Sequence, residues 1–208
     1  MLLRNVFNSY FVPIRANTLG ARRELFIASI GNPEPEYQST RHNVGHMFFD
    51  YLTARWASHL TSNGEYYISS KYPKVVLFKS SKSFMNLQGR PISKHYRKHG
   101  TSLVIIHDEL QIDLGKLQIR KPGTSARGHN GLKSINSHLP NTYTKVAIGI
   151  GRPLDKSQVL KHVLGKFSAL EMDKLDEVFP RALRELEKLI ESASDQQEKR
   201  EDGNVSSH

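Results

Sequence analysis

The chain has 208 residues, a formal net charge of +10 and 38% hydrophobic residues. This length allows one α/β domain with a substantial core and is too short for two large domains. The chain has no cysteine, which excludes disulfides, thiolate metal sites and cysteine nucleophiles. No apolar run approaches the roughly 18 residues that a membrane-spanning helix requires, so we expect no membrane partner.

The first 23 residues combine arginines with apolar residues and contain no acidic residue. Apolar side chains recur at helical spacing around Arg4, which makes the segment amphipathic as well as basic. This composition is typical of a mitochondrial transit peptide. A flexible basic extension of a cytoplasmic protein is the alternative. We expect residues 1–23 to be one of these two, and the composition favours a mitochondrial location.

Five short apolar runs predict the strands. The run at residues 25–30 is unbroken, as expected of a buried central strand, and Gly31-Asn32-Pro33 ends it. The run at 116–120 alternates in polarity, which favours a position near the edge of a sheet. The remaining strands are predicted at residues 75–78, 103–106 and 145–150.

Helical segments alternate with these strands. Helices are predicted at about residues 43–60, 87–99, 129–139, 155–164 and 169–192. Pro180 should kink the last of them. Residues 192–208 lack periodic apolar residues and are predicted to form a disordered polar tail. The alternation predicts an α/β fold: a single domain over residues 24–191 with a mixed, largely parallel twisted sheet flanked by helices.

Five short strings place an amide, an imidazole or a carboxylate at a turn, a strand end or a helix start. They are Gly31-Asn32-Pro33, Arg41-His42-Asn43, Phe84-Met85-Asn86, His107-Asp108-Glu109 and Gly128-His129-Asn130-Gly131. Two of their residues, Asn32 and Asp108, come just after predicted strands. Ligands of open α/β sheets bind beyond the carboxyl ends of the strands, so we expect both side chains to face one crevice.

His42 and Asp108 are the candidate acid–base pair. A histidine near a helix start can act as a general base near neutral pH and take a proton from water. Asp108 is the best candidate to fix the tautomer of His42 and to stabilise its imidazolium. No Gly-x-Ser-x-Gly string occurs, which favours direct attack by water over an acyl-enzyme. A lone histidine is more often structural, so the catalytic interpretation depends on the neighbouring strings.

Three asparagines, Asn32, Asn86 and Asn130, are candidate substrate ligands. An amide offers two donors and an acceptor without charge. Such groups can hold peptide-like carbonyl and N–H groups, position water or stabilise an oxyanion. Helix capping and turn formation are the structural alternatives for each of them.

Metal and nucleotide chemistry are both poorly supported. His107, Asp108 and Glu109 are consecutive, so on an extended segment their side chains alternate in direction and cannot converge on a metal. The loop at 123–128 has the glycines and hydroxyls that suit phosphate, but it lacks the Lys-Ser/Thr ending of a P-loop. We expect no metal and no cofactor.

The positive charge is concentrated in the middle of the chain. Residues 71–166 carry 18 Lys/Arg against 4 Asp/Glu, whereas residues 167–208 carry 6 against 11. This distribution predicts a polyanionic partner such as nucleic acid, and a basic surface that only aids solubility is the alternative. The candidate RNA contacts are Lys94, Arg97 and Lys98 on one helix, and Lys121, Arg127 and Lys133 around the flexible loop.

Taken together, the strings resemble the bacterial-type peptidyl-tRNA hydrolase family. The resemblance covers residues 25 to 190 and includes Ile30-Gly31-Asn32-Pro33, Tyr37, Thr40-Arg41-His42-Asn43, Phe84-Met85-Asn86-Leu87, His107-Asp108-Glu109-Leu110, Gly128-His129-Asn130-Gly131 and Ile148-Gly149-Ile150-Gly151. It implies a single α/β domain that hydrolyses the ester between peptide and tRNA without a metal. A mitochondrial member of the family is the expectation.

The resemblance also implies roles for individual residues. His42 corresponds to the catalytic base, Asp108 to its support, and Asn32 to a residue that distinguishes blocked from free aminoacyl groups. Tyr37, Phe84, Asn86 and Asn130 are expected to line the peptidyl or tRNA site. The chain departs from many bacterial members at 122–127 and at 60–74, which leaves the details of tRNA contact open.

Peptidyl-tRNA is the expected partner, and we expect a monomer. Two other functions stay open at this point. A noncatalytic RNA-binding or splicing cofactor of the same fold would bind tRNA without cleaving it. A general esterase would cleave small esters that carry no tRNA.

Overall fold

The structure is a computed structural model that describes the backbone of residues 23–205 and the side chains of residues 25–194. The predicted transit or basic segment therefore lies outside the described residues, except for Arg23 at its end. Residues 206–208 of the predicted tail also lie outside them.

Seven strands form one mixed sheet in the order β2-β3-β4-β1-β5-β7-β6. Its parallel centre consists of β4, β1, β5 and β7, and the antiparallel strands β2, β3 and β6 complete its two sides. This confirms the predicted α/β fold with a largely parallel mixed sheet. The strands are β1 Arg23–Ile30, β2 Leu60–Asn63, β3 Tyr66–Ser69, β4 Val75–Ser80, β5 Gly100–Glu109, β6 Leu117–Arg120 and β7 Thr144–Gly149.

Helices cover both faces of the sheet, as predicted. The helices are α1 Val44–Arg55, α2 Gly89–His99, α3 Asn130–Asn136, α4 Val159–Leu164 and α5 Ala169–Val205. Residues of α1 and α5 share one hydrophobic core with Leu25 and Ile27 of β1, whereas α2 and α3 share another with Phe26 and Ala28. Because β1 is buried on both faces, its apolar run is continuous rather than alternating.

The sequence did not predict the hairpin of β2 and β3. Helix α1 ends at Arg55, short of the predicted residue 60, and Leu60 already belongs to β2. Residues of β2 are mostly exposed and polar, so this strand carries no apolar pattern, and β3 is a partly buried run of only four residues that the sequence reading did not recognise. Gly64 has a φ of 64° in the turn between the two strands, a conformation that glycine adopts without strain.

The polar tail is helical further than predicted. Helix α5 includes Pro180 and runs past Ser192 to Val205, where the sequence suggested a disordered tail. The Ser192 hydroxyl donates to the carbonyl of Lys188. Gln, Glu, Lys and Arg between 192 and 201 are good helix formers, and this local preference does not require an apolar stripe. No helix of the described residues is long and apolar enough to cross a bilayer.

The parallel strands bring their carboxyl ends to one edge of the sheet. β1, β4, β5 and β7 end there at Ile30, Ser80, Glu109 and Gly149. The segments that follow these strands contain most of the strings singled out in the sequence. β6 is an outer strand of the sheet, which agrees with its alternating sequence.

Candidate active site

One buried carboxylate joins two imidazoles at this edge of the sheet. Oδ1 of Asp108 lies 2.9 Å from Nδ1 of His42 and 2.8 Å from Nε2 of His129. Asp108 belongs to β5 itself rather than to the segment after it, and it is only 1% exposed. The predicted contact between His42 and Asp108 is present, whereas the hydrogen bond between His129 and Asp108 was not predicted.

The hydrogen bonds determine which ring nitrogens carry hydrogen. A carboxylate oxygen can only accept, so His42 donates from Nδ1 and His129 donates from Nε2. Nδ1 of His129 in turn accepts from the backbone N–H of Leu132, at 3.3 Å, and caps α3. Neutral His42 is therefore left with the lone pair on Nε2, which is the form that a general base requires.

The same pairing shifts the pKa values of both partners. Burial alone would lower the pKa of His42, but the charge of Asp108 and its hydrogen bond outweigh burial and raise this pKa above its ordinary value. Burial would raise the pKa of Asp108, but the two imidazoles hold it well below its usual range. Asp108 is thus ionised at neutral pH, and the charged form of His42 is stabilised once it forms.

Asn43 connects His42 with Asn32. His42 lies in a short 3-10 helix, Arg41–Asn43, directly before α1. The fully buried Asn43 accepts from the Asn32 backbone N–H at 2.7 Å and donates from Nδ2 to the Asn32 carbonyl at 3.0 Å. The sequence strings contained Asn43, but its position beside His42 was the only signal and no role was assigned to it.

The amide of Asn32 has a fixed orientation. Its Oδ1 accepts from the backbone N–H of Met85 at 3.0 Å, and Asn32 is nearly buried. Among the described residues, no group accepts a hydrogen bond from Nδ2 of Asn32. This side chain therefore offers donors, not an acceptor, to a bound molecule.

Tyr37, Phe84 and Asn86 lie beside Asn32 rather than in the pocket around Asp108. The rings of Tyr37 and Phe84 meet edge to face with centroids 6.0 Å apart, and Phe84 remains 47% exposed. Asn86 is exposed on the short 3-10 helix Met85–Leu87. These positions form an apolar surface with one exposed amide.

Gln88 holds this surface in place and was missed by sequence reasoning. It is fully buried. Its Nε2 donates to the carbonyls of Gly31 at 2.6 Å and Ser83 at 2.8 Å, and also to that of Ser80. One amide thus joins the ends of β1 and β4 to the segment that carries Phe84. A buried glutamine among apolar neighbours gives no sequence signal of this kind.

A pocket of about 510 Å³ opens beside Asp108. Asn130 and Arg127 line it together with the two imidazoles. The pocket is also lined by residues of α4 and by two cations that sequence reasoning missed, Arg152 and Lys156. Both follow the carboxyl end of β7, so the rule that ligands bind beyond the carboxyl ends of strands could have identified them.

Arg127 also contributes to the wall of the pocket through Glu109. The carboxylate of Glu109 accepts from Arg120 at 3.0 Å, and Arg127 lies 3.6 Å from it. Glu109 is therefore paired and buried, and it adds little net negative charge to a pocket that presents several cations. This balance favours an anionic ligand.

The other predicted RNA contacts are spread over the surface. Lys94, Arg97 and Lys98 are exposed on α2, which ends where β5 begins, at the edge of the sheet opposite to Asp108. The remaining two, Lys121 and Lys133, are exposed on the loop after β6 and on α3. The structure does not gather these five with the catalytic candidates.

His42, Asp108 and His129 could also offer one ligand atom each to a metal, since these atoms lie within 4.8 Å of one another. Sequence reasoning considered the consecutive residues 107–109 and local metal-binding spacings, and did not foresee this group. The N–O distances of 2.8 and 2.9 Å are hydrogen-bond lengths, whereas two atoms bound tetrahedrally at roughly 2.0–2.2 Å from a zinc ion would lie about 3.4 Å from each other. Protons account for the observed geometry.

Comparisons with known proteins agree with this geometry. The family model described as peptidyl-tRNA hydrolase matches residues 26–207. The peptidyl-tRNA hydrolase of Bacillus subtilis (strain 168) is 38% identical over 173 residues, which cover 78% of this chain and 90% of the relative. That of Wolbachia pipientis wMel is 38% identical over 149 residues, 68% of this chain and 81% of the relative.

A solved structure is similar over most of the chain. The crystal structure of peptidyl-tRNA hydrolase from Acinetobacter baumannii superimposes with a TM-score of 0.67 at 30% identity, covering 84% of this chain and 91% of that one. The agreement in sequence and in fold covers both the sheet and the strings that build the site. The chain belongs to the peptidyl-tRNA hydrolase family.

Proposed function

We propose that this protein hydrolyses the ester bond between tRNA and a peptide or an N-blocked aminoacyl group, using water that His42 activates and no metal or cofactor. The observation that carries the proposal is the free Nε2 of His42, in a ring whose Nδ1 is bonded to buried, ionised Asp108. Family membership supplies the substrate class.

The reaction proceeds by proton transfer and addition. Nε2 of His42 takes a proton from water while the oxygen adds to the ester carbonyl, and Asp108 stabilises the imidazolium. The tetrahedral intermediate then loses the 3′ oxygen of the tRNA, which receives the proton back from His42. The products are a free carboxylic acid and tRNA. Asn32 and Asn130 offer amide donors for the carbonyl and its developing oxyanion.

The orientation of Asn32 supports selection of blocked substrates. A free aminoacyl-tRNA carries an ammonium group, which needs acceptors when water is removed. Asn32 offers donors, and the carboxylates of Asp108 and Glu109 are already bonded to His42, His129 and Arg120. We expect N-acetyl-aminoacyl-tRNA to be cleaved much faster than its free counterpart, and equal turnover would contradict this mechanism.

The basic residues support tRNA binding through phosphates. Such contacts provide affinity without sequence choice, which suits an enzyme that accepts many tRNAs. In this proposal Arg127, with Arg152 and Lys156, meets the end of the tRNA at the pocket. The exposed cations Lys94, Arg97, Lys98, Lys121 and Lys133 meet phosphates further along.

The compartment and the oligomeric state are part of the proposal. Residues 1–23 lack acids and carry arginines, which supports import into mitochondria. The proposal also includes action as a monomer. The location of a fluorescent fusion with and without residues 1–23 tests the first point, and the mass of the protein in solution tests the second.

Replacement of His42 by Ala tests the proposed chemistry. Loss of the general base should lower kcat on N-acetyl-aminoacyl-tRNA by about 10²- to 10⁴-fold, with little change in the unfolding transition. His59→Ala is the matched control because His59 is exposed on a 3-10 helix away from the site. An unchanged rate in His42→Ala would reject the role of His42, and tRNA binding without any acid release by the native protein would favour the noncatalytic alternative.

A further inference from the structure

Arg41 precedes the catalytic candidate, but its guanidinium points away from the chemistry. Nη2 donates to both carboxylate oxygens of Glu171 at 2.7 Å each. Nη1 donates to the carbonyls of Lys166 at 3.1 Å and His162 at 3.3 Å. One side chain therefore holds four acceptors on a segment more than 120 residues further along the chain.

The backbone around Arg41 is bonded to the same segment. The Arg41 N–H donates to the carbonyl of Gly165 at 3.0 Å, and Thr40 forms an antiparallel bridge with Lys166. The Phe167 N–H donates to the carbonyl of Ser39 at 3.1 Å. Residues 39–41 and 165–167 thus make a short two-stranded joint directly before His42.

The partners of Arg41 belong to two different helices. His162 lies in the last turn of α4, and Val159, Leu160 and Val163 of that helix line the pocket. A guanidinium on the last carbonyls of a helix satisfies acceptors that the helix itself leaves open. Arg41 therefore links the turn that carries the base to the wall of the pocket that faces it.

Glu171 links the same joint to the start of α5. Its carboxylate accepts from the Ser168 N–H at 2.8 Å, and the Ser168 hydroxyl accepts from the Glu171 N–H at 3.4 Å, a capping box. Burial would raise the pKa of Glu171, but the hydrogen bonds of Arg41 and Ser168 outweigh it and lower this pKa. Glu171 is thus ionised at neutral pH and can form the ion pair with Arg41.

The geometry indicates that the Arg41–Glu171 ion pair serves to orient the Arg41 guanidinium rather than to stabilise the fold. The side chains of Arg41 and Glu171 are 14% and 26% exposed, and partly exposed ion pairs contribute little to stability. The guanidinium, however, uses two of its nitrogens, Nη2 on Glu171 and Nη1 on two backbone carbonyls, and contacts from two nitrogens of one planar group fix its plane and direction. A catalytic base needs this precision, since a displacement of about 1 Å can cost roughly 10²-fold in rate.

We infer that Arg41 and Glu171 are positioning residues that hold the His42 turn against α4, so that the base and the pocket wall keep a fixed relation. This inference rests on the proposed function for its kinetic test. The pair touches neither the substrate nor the reacting atoms, and it acts through the position of His42. Its loss should therefore lower kcat and leave tRNA binding unchanged.

The kinetic test compares Arg41→Gln, Arg41→Lys and Glu171→Gln on N-acetyl-aminoacyl-tRNA. We expect Arg41→Gln to lower kcat by about 10- to 100-fold and KM to change less than about 2-fold. Arg41→Lys keeps the charge without the fork and should recover only part of the loss. The double variant Arg41→Gln/Glu171→Gln should be no slower than the worse single variant, because both break one joint.

Arg181→Gln is the matched control. The Arg181 guanidinium also donates to a backbone carbonyl, that of Gly115, and it is exposed on α5. This variant should keep native kcat and KM. A rise in KM with unchanged kcat in Arg41→Gln would overturn the inference and make Arg41 a tRNA contact. A loss that parallels a lower folded fraction in thermal unfolding would also overturn it.

An NMR titration of the His42 ring tests the inference without any activity. The titratable groups that contact this ring are Asp108 and His129. Removal of a nearby cation alone would raise the pKa of His42, whereas movement of His42 away from Asp108 would lower it towards its ordinary value. We expect a lower pKa in Arg41→Gln. A higher or unchanged pKa would overturn the inference even if the native protein proved not to be a hydrolase.

Discussion

The centre around Asp108 and the basic surface of the molecule use polar groups in opposite ways. At the centre, Asp108, His129 and Asn43 are all bonded to other protein groups. On the surface, Lys94 and Lys98 form no ion pair with any residue between 25 and 194. The first arrangement fixes directions, and the second leaves charge available to a polyanion. In the proposed function, the chemistry depends on position, whereas tRNA binding depends on charge.

Backbone strain is found next to the centre around Asp108. Among the described residues, only Ser39 and Arg127 are non-glycine residues with positive φ, at 62° and 45°. Ser39 comes three residues before His42, and Arg127 comes two before His129. A left-handed conformation costs a non-glycine residue roughly 1–2 kcal/mol. The chain thus accepts strain directly before the two imidazoles that share one carboxylate.

Asp108→Asn should break the fixed centre most severely. We expect kcat to fall by about 10²- to 10⁴-fold, because an amide neither stabilises the imidazolium nor fixes the tautomer of His42. The pH profile gives a second readout. Native activity should fall as the pH drops through the raised pKa of His42, since the base becomes protonated.

In Asp108→Asn only burial continues to act on His42, so the pKa of the ring should fall below its ordinary value and the acidic limb of the profile should move to lower pH. A rate profile over pH 5 to 9 for both proteins measures this shift. An acidic limb that stays in place would mean that a group other than His42 titrates there.

The fold was more predictable than the contacts inside the site. Unbroken apolar runs gave β1, β5 and β7 because these strands are buried on both faces. The β2–β3 hairpin was missed because β2 is mostly exposed and has no apolar period, and because β3 has only four residues. The strand-end rule drew attention to Asn32 and Asp108, because the carboxyl ends of parallel strands share one edge, and His42 was paired with Asp108 as the best candidate to fix its tautomer.

The position of His129 could not be derived in this way. It lies 21 residues after Asp108 in the chain, beyond β6, and no rule about strand ends predicts which side chain the loop before α3 turns inwards. The same holds for Gln88, whose bonds to Gly31 lie 57 residues away in sequence. Contacts of this type depend on tertiary packing and leave no local pattern.

His129 offers a sharper test of the shared carboxylate. His129→Ala and His129→Asn both remove the bond to Asp108, and kcat should fall by about 10-fold because Asp108 then holds His42 less firmly. Only the alanine should lose the cap of α3, which costs about 1 kcal/mol of stability. Kinetics and thermal unfolding of the two variants separate these effects. Native kcat in His129→Asn would mean that one imidazole suffices.

The smallest effects are expected on the basic surface, where no single residue is fixed. Lys94→Gln/Lys98→Gln and Lys121→Gln/Lys133→Gln each remove two exposed cations and should weaken tRNA binding by a few-fold, with kcat at saturation unchanged. Each lost phosphate contact should reduce the slope of log K against log salt by about 0.7–0.9.

The two pairs report on different regions, because α2 ends at the edge of the sheet opposite to Asp108, whereas Lys133 lies in α3, which begins at the pocket. If only the second pair changes the slope, tRNA stays near the pocket and does not extend along α2. A fall in kcat for either pair would contradict the separation of position and charge.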